Sequence, residues 1–245
     1  MINYHINNIN GQLMNFQSEK VIGLSAAMPV EVEPVLDLFS ETEVCSPEKF
    51  RVYKSLYESM PVIIVETEQG RDRAAKAIEY LHENFHVRQL IGFGLAGAVA
   101  PQLRTGDVVA PDRVSRADRL EDFIALDPIE GIEKWSGKLI VGGLAVEVDK
   151  LYNINDKRAI AKTGAVMVDM ESYATASIAK KYNTPVSIVR AILDESAYDL
   201  ESIVKNKKRG PDYQNFKDMA KVSAGKNADC LVYALAKILE NLPAP

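Results

Sequence analysis

Ala165–Leu193 reads AVMVD MESYATASIAKKYNT PVSIVRAIL, and its three parts decide the fold class. Ala165–Asp169 is a short apolar run of strand formers that ends on an acid. From about Met170 to Tyr182 the small and apolar residues fall at helical spacing, and Pro185–Leu193 is again an apolar, β-branched run. A strand, a helix and a second buried strand in close succession point to an α/β sheet covered on both faces.

The rest of the chain repeats the pattern. Val21–Ala26 (VIGLSA) is a strand candidate, with Pro29 at a first helical position and Glu31, Val32, Val35, Leu36 and Phe39 at helical spacing behind it. Phe50–Tyr57 alternates, Pro61–Thr67 reads as a buried strand, and Gly70 precedes a helical segment over Arg71–Phe85. Gln89–Leu95 leads into a glycine-rich turn, Gly94–Ala98; Gly106–Val114 and Lys138–Val146 are further strands, and Asp212–Leu242 is a closing helix. The expectation is one three-layer α/β/α domain over residues 21–245, with a central mixed, mostly parallel sheet, behind a polar arm of residues 1–20.

Composition narrows the function classes. The 245 residues carry 29 basic and 34 acidic side chains, a net of −5, which argues against a nucleic-acid partner because phosphate binding needs a basic footprint. The basic run Lys205–Arg209 reads as a solvated loop. No apolar run approaches the roughly 18 residues that a membrane span needs, and residues 1–20 carry no secretory signature, so a cytoplasmic protein without stable membrane insertion is expected. Two distant cysteines and three histidines give no metal-ligand spacing. His82 and His86 read as two surface histidines on a helix.

In open α/β sheets ligands bind beyond the carboxyl ends of the strands. Three such ends carry an acid: Glu31, Glu171 and Asp194. Each also has a plain structural use, as a first-turn carboxylate or a turn former. Gly92–Gly97 (GFGLAG) has G-x-G-x-x-G spacing, but GK[ST] is absent and the next element reads as a strand rather than a helix, so a dinucleotide or triphosphate site is poorly supported; the small residues Ala96 and Gly97 beside Leu95 would let a ligand approach the backbone.

Taken together, these segments resemble the nucleoside phosphorylase and nucleosidase family. VIGLSAAMPVEVEPVL (21–36), IGFGLAGAVAPQLRTGDVVAPDRV (91–114) and GAVMVDMESYATASIAKKYNTPVSIVRAILDES (164–196) are similar to its opening strand and helix, its glycine segment and its MES helix followed by an RAxxD strand. The resemblance is nearest to two branches, the methylthioadenosine/S-adenosylhomocysteine nucleosidases and the hopanoid-associated phosphorylases, the latter through DKRAIAKTGAVMVDMES (156–172). It implies cleavage of the N-glycosidic bond of a purine nucleoside, with no metal or organic cofactor, in a homodimer. Glu31 would orient water, Met170 would pack on the sugar, Glu171 would bind the ribose hydroxyls as an anion, and Asp194 would protonate the base.

Three departures qualify the resemblance. Leu95 replaces a serine, Leu193 a small polar residue, and Gly92 an arginine that phosphorylases use to hold phosphate. The first two make the pocket greasier and suit an apolar 5′ substituent; the third favours water over phosphate. Phosphorolysis, as in the adenosylhopane reaction of the second branch, and a non-catalytic nucleoside-binding protein are the alternatives.

Overall fold

The computed structural model describes residues 16, 19–39, 42–45, 50–205 and 211–242. Most of the expected arm, and most of the Lys205–Arg209 run, lie outside the described residues. Phe16 is buried in the core, and β1 starts at Lys20.

In chain order the elements are β1 (Lys20–Ala26), α1 (Pro29–Leu36), β2 (Thr42–Cys45), β3 (Arg51–Tyr57), β4 (Met60–Glu66), α2 (Arg71–Asn84) and β5 (His86–Ala98). Then come β6 (Val108–Ala110), β7 (Arg113–Arg116), β8 (Arg119–Ala125), β9 (Leu139–Val141), β10 (Leu144–Glu147) and α3 (Ile154–Ala161). The chain continues through β11 (Ala165–Asp169), α4 (Ser172–Lys181), β12 (Val186–Asp194), α5 (Leu200–Lys205) and α6 (Pro211–Glu240).

All strands join one mixed sheet in the order β2-β3-β4-β1-β5-β11-β10-β7-β8, with β12 also paired to β5 and carrying β6 and β9 beyond it. The centre, β4-β1-β5-β12, is parallel, while β2-β3-β4 and β7-β8 are antiparallel. Every residue of β12 is buried, as expected for a strand covered on both faces. One apolar cluster joins alternate residues of β1 (Ile22, Leu24, Ala26) to Val32 and Val35 of α1 and to the inner face of α6. The other joins the opposite face to Ala77, Ile78 and Leu81 of α2 and to Ala176 and Ala179 of α4. The three layers follow from these two seams.

Several expectations are corrected. Gly94–Ala98 is no turn: it is the end of β5, kept extended because Gly97 pairs with Asp194 of β12 on one edge and Val168 of β11 on the other. Gly106–Val114 divides at Pro111-Asp112 into β6 and β7, and Lys138–Val146 divides at Gly142-Gly143 into β9 and β10. α2 ends at Asn84, so His86 opens β5 and is not on the helix. His82 is no plain surface histidine. Its ring bonds Ile78 O and Thr184 Oγ1 at 2.9 and 3.0 Å and stacks on Tyr182, and burial lowers its pKa. No helix among the described residues is long and apolar enough to cross a membrane.

Candidate active site

The ends of β1, β5, β11 and β12 converge on one cleft. Its lining includes all eight residues singled out from the sequence: Glu31, Leu95, Ala96, Gly97, Met170, Glu171, Leu193 and Asp194. No arginine is among the described residues that line it. Arg71, Arg73 and Arg104 stand outside, each within ion-pair distance of a glutamate: Glu147 at 2.6 Å, Glu68 at 2.9 Å and Glu195 at 3.7 Å. A Cβ at Gly92 would fall 2.5 Å from Ile188 Cδ1, so a side chain there requires that tip to move. Tyr213 and Phe216 stack on each other and do not line the cleft.

Glu31 projects from the first turn of α1, where Pro29 pre-sets the helical φ. Its Oε2 accepts the N–H groups of Ala27 (2.9 Å) and Met28 (2.8 Å), and its Oε1 accepts that of Leu95 (2.8 Å). Burial raises its pKa, while Arg190 and these three amides pull the other way. Three N–H donors on two oxygens are best met by the ionised form. The close approach depends on Gly94, at φ +126°, where a Cβ would fall 2.5 Å from Glu31 Oε1.

Glu171 is not in the first turn of α4 but at its N-cap, with φ −137° and ψ −18°. The cap is supplied by Asp169, whose Oδ1 accepts Ser172 N at 3.0 Å and whose Oδ2 bonds the Ser172 hydroxyl. Freed from capping, the Glu171 carboxyl turns to the cleft and accepts Gly70 N at 2.8 Å. Burial pushes it up to about 8; Arg190 opposes this, and the neighbouring Asp169 and Glu31 add to it.

Arg190 is the cation behind the site. It is 2% exposed, its Nε stands 3.1 Å from Asp169 Oδ2, and Nη1 donates to Phe93 O. One guanidinium therefore faces three buried carboxyl groups, and the group with the fewest hydrogen-bond donors, Glu171, keeps its proton at neutral pH. Asp169 and Arg190 hold the site together, although the sequence reading drew no functional role from either.

Glu171 titrates near 4.5 when solvated and near 8 when folded, so the folded state binds the extra proton across that window. Stability falls as pH rises through the window and is lowest above it. Glu171→Gln, which can still accept Gly70 N–H, should match the wild type near pH 5. At pH 9 it should melt several degrees higher, an effect on the order of 2–4 kcal/mol at about 1.4 kcal/mol per pKa unit. Thermal unfolding of both proteins across pH checks this; equal melting points at pH 9 would refute it.

Asp194 ends β12, 1% exposed, and burial raises its pKa against the opposing charge of Lys157. The Lys157 ammonium lies on Asp194 Oδ2, a partner absent from the sequence reading. Glu195 points away, with Glu195 Oε2 3.7 Å from Arg104. The apolar lining comes from Met28, Leu95, Val148, Leu151, Met170 and Leu193.

Residues 21–139 match the model of the phosphorylase superfamily. Proteins named 5′-methylthioadenosine/S-adenosylhomocysteine nucleosidase are similar over most of the chain. That of Staphylococcus saprophyticus is 26% identical, covering 86% of this chain and 99% of the relative; that of Listeria monocytogenes is 26% identical over 89% and 99%. The Neisseria meningitidis nucleosidase, solved with methylthio-immucillin-A, shares the fold at a TM-score of 0.77 and 20% identity, over 91% of this chain and 100% of that one. The futalosine hydrolase of Helicobacter pylori does so at 0.75 and 19%, over 91% and 98%. The family-model match over residues 21–139, the relatives that span most of the chain and the shared fold all point to the phosphorylase superfamily.

Proposed function

We propose that the protein hydrolyses the N-glycosidic bond of a purine nucleoside, most suitably a 5′-modified adenosine, and releases the free base. The observation that carries this reading is the pairing, in one arginine-free cleft, of an amide-held Glu31 with a buried Asp194 of raised pKa. Two acids in different environments divide the work: one stays ionised and the other carries a proton.

Glu31 orients a water and takes its proton as the oxygen bonds to the sugar. Asp194 gives its proton to a ring nitrogen of the leaving base, so the base departs neutral. Glu171, neutral before the ligand arrives, donates to one ribose hydroxyl and accepts from another, rather than accepting both as an anion. Met170 packs on the sugar, and Leu95, Ala96, Gly97 and Leu193 frame it. A phosphate nucleophile would meet the Glu31 carboxylate with no arginine to hold it, which supports water.

The apolar wall suits a methylthio group or a longer hydrocarbon at the 5′ position, the type of substrate the hopanoid-associated resemblance implies. The family resemblance favours a homodimer, and the cytoplasm is the setting proposed for it. Chromatography of adenosine, inosine, methylthioadenosine, S-adenosylhomocysteine and an adenosine with a long apolar 5′ group, each with and without phosphate, tests the reading. Phosphate-independent base release is expected, fastest for apolar 5′ groups. Release only with phosphate would assign phosphorolysis, and nucleoside binding without release would assign a binding protein.

A further inference from the structure

Lys157 stands on α3, whose N-cap Asn153 accepts the amides of Asn155 and Asp156 and donates to Glu201 of α5 at 3.1 Å. The lysine is 2% exposed and lines the cleft. Its ammonium donates to Asp194 Oδ2 and to the carbonyls of Glu195 (3.0 Å) and Tyr198 (3.3 Å), so each of its three hydrogens has an acceptor. A saturated ammonium has nothing left for a ligand and acts on Asp194 alone. With Oδ2 held by the ammonium, Oδ1 is the oxygen nearer Gly97, where a Cβ would come within 3.2 Å of it against 3.5 Å for Oδ2; the carboxyl also draws on its own backbone N–H.

We propose that Lys157 is the positioning residue of the leaving-group acid: it clamps Asp194 by Oδ2, presents Oδ1 to the base, and provides the counter-charge for the carboxylate left behind. The proposal rests on the reading of Asp194 as the proton donor. As the C–N bond breaks, its electron pair moves into the base and the Oδ1 proton follows to a ring nitrogen. Water adds its oxygen to the sugar and its proton to Glu31, and solvent returns a proton from Glu31 to Asp194. The aspartate passes from neutral to charged during this step, so a fixed cation on Oδ2 favours the products of proton transfer more than the reactants.

The charged and titratable groups around the pair are Asp156 of α3, Lys150 and Tyr152 before it, Glu195 and Tyr198 after β12, Glu201 of α5, and Glu31, Asp169 and Glu171 across the cleft. Among the described residues, Lys157 is the one cation within hydrogen-bond reach of Asp194.

Lys157→Met should slow base release at least about tenfold at neutral pH and move the alkaline limb of kcat/KM up by about one unit or more, since an opposite charge at this range shifts a carboxyl by about 1–3 units. Lys157→Arg keeps the charge and should keep the limb. Ionisation of Glu171 contributes equally to all three proteins. A second readout needs no turnover: the side-chain carboxyl carbon of Asp194, assigned in labelled protein by its loss in Asp194→Asn, is titrated by NMR. Its midpoint should rise by about one unit or more in Lys157→Met and hold in Lys157→Arg; Lys157→Gln replaces the methionine variant if that does not fold. A slower Lys157→Met with limb and midpoint unmoved would reduce Lys157 to a structural tie and overturn the proposal. If the wild type released no base from any nucleoside, the functional reading would fail, while the carboxyl titration would still decide whether Lys157 governs Asp194.

Discussion

Asp194→Asn is expected to release base at least about a hundredfold more slowly than the wild type, because an amide has no proton to give a departing purine and general acids contribute roughly 10²- to 10⁴-fold. In alkaline solution, where Asp194 is ionised, the same change should lower the melting temperature by roughly 5–10 °C. There it strips the negative partner from a buried ammonium, and removing one member of such a pair costs about 3 kcal/mol or more. The new amide would still offer Lys157 a carbonyl, and Glu195 O and Tyr198 O remain, so the protein should fold and bind nucleosides. Adding Lys157→Met should recover much of the lost stability and none of the rate. A single variant that kept wild-type turnover would remove Asp194 from the chemistry.

Glu31→Gln should combine a rate loss of about 10²-fold or more with a stability loss of about 1–3 kcal/mol. The carboxylate takes N–H groups on both oxygens: Ala27 and Met28 on one, Leu95 on the other. Glutamine has a single carbonyl, so its NH₂ must face at least one buried N–H and leave that donor unpaired. No rotamer repairs this. The rate loss should be the same with and without phosphate if Glu31 handles water; a Glu31→Gln protein as fast as wild type would show that water is activated elsewhere. Denaturant unfolding and base release on the same preparations separate the two effects.

The parts of the fold that were legible in the sequence were those where burial repeats. The run from Ala165 to Leu193 announced strand, helix and strand because β12 is covered on both faces and α4 on one. The β7–β8 hairpin left no such trace: in Arg119–Ala125 only Ile124 is buried, so no alternation marks the strand. β5 was misread at its end because small residues look like a turn until the strands on both sides are known.

The same distinction applies to the cleft. Glu31, Glu171 and Asp194 stand at strand ends, where local sequence marks them. Lys157 sits on an eight-residue helix, and a lysine in such a stretch reads as solvated. Its one local signal was Asn153, a helix cap four residues earlier. That its ammonium meets an aspartate 37 residues on is a matter of tertiary packing alone.

α6 does more than cover the sheet. Asn227 donates to Val189 O at 3.0 Å and accepts Gly94 N at 2.8 Å, and the Ser223 hydroxyl donates to Ile192 O at 2.8 Å. Two polar side chains thus fasten β5 and β12 beside the residues that carry the candidate chemistry. Gly94 leaves the ribosome 133 residues ahead of Asn227. Until that helix is made, the amide of Gly94 and the carbonyls of β12 have no protein partner on this side, and water must serve them. The cleft is consequently a late product of synthesis. A nascent chain that lacks α6 keeps the apolar face of β1, β5 and β12 uncovered through the interval in which such surfaces are most prone to aggregate.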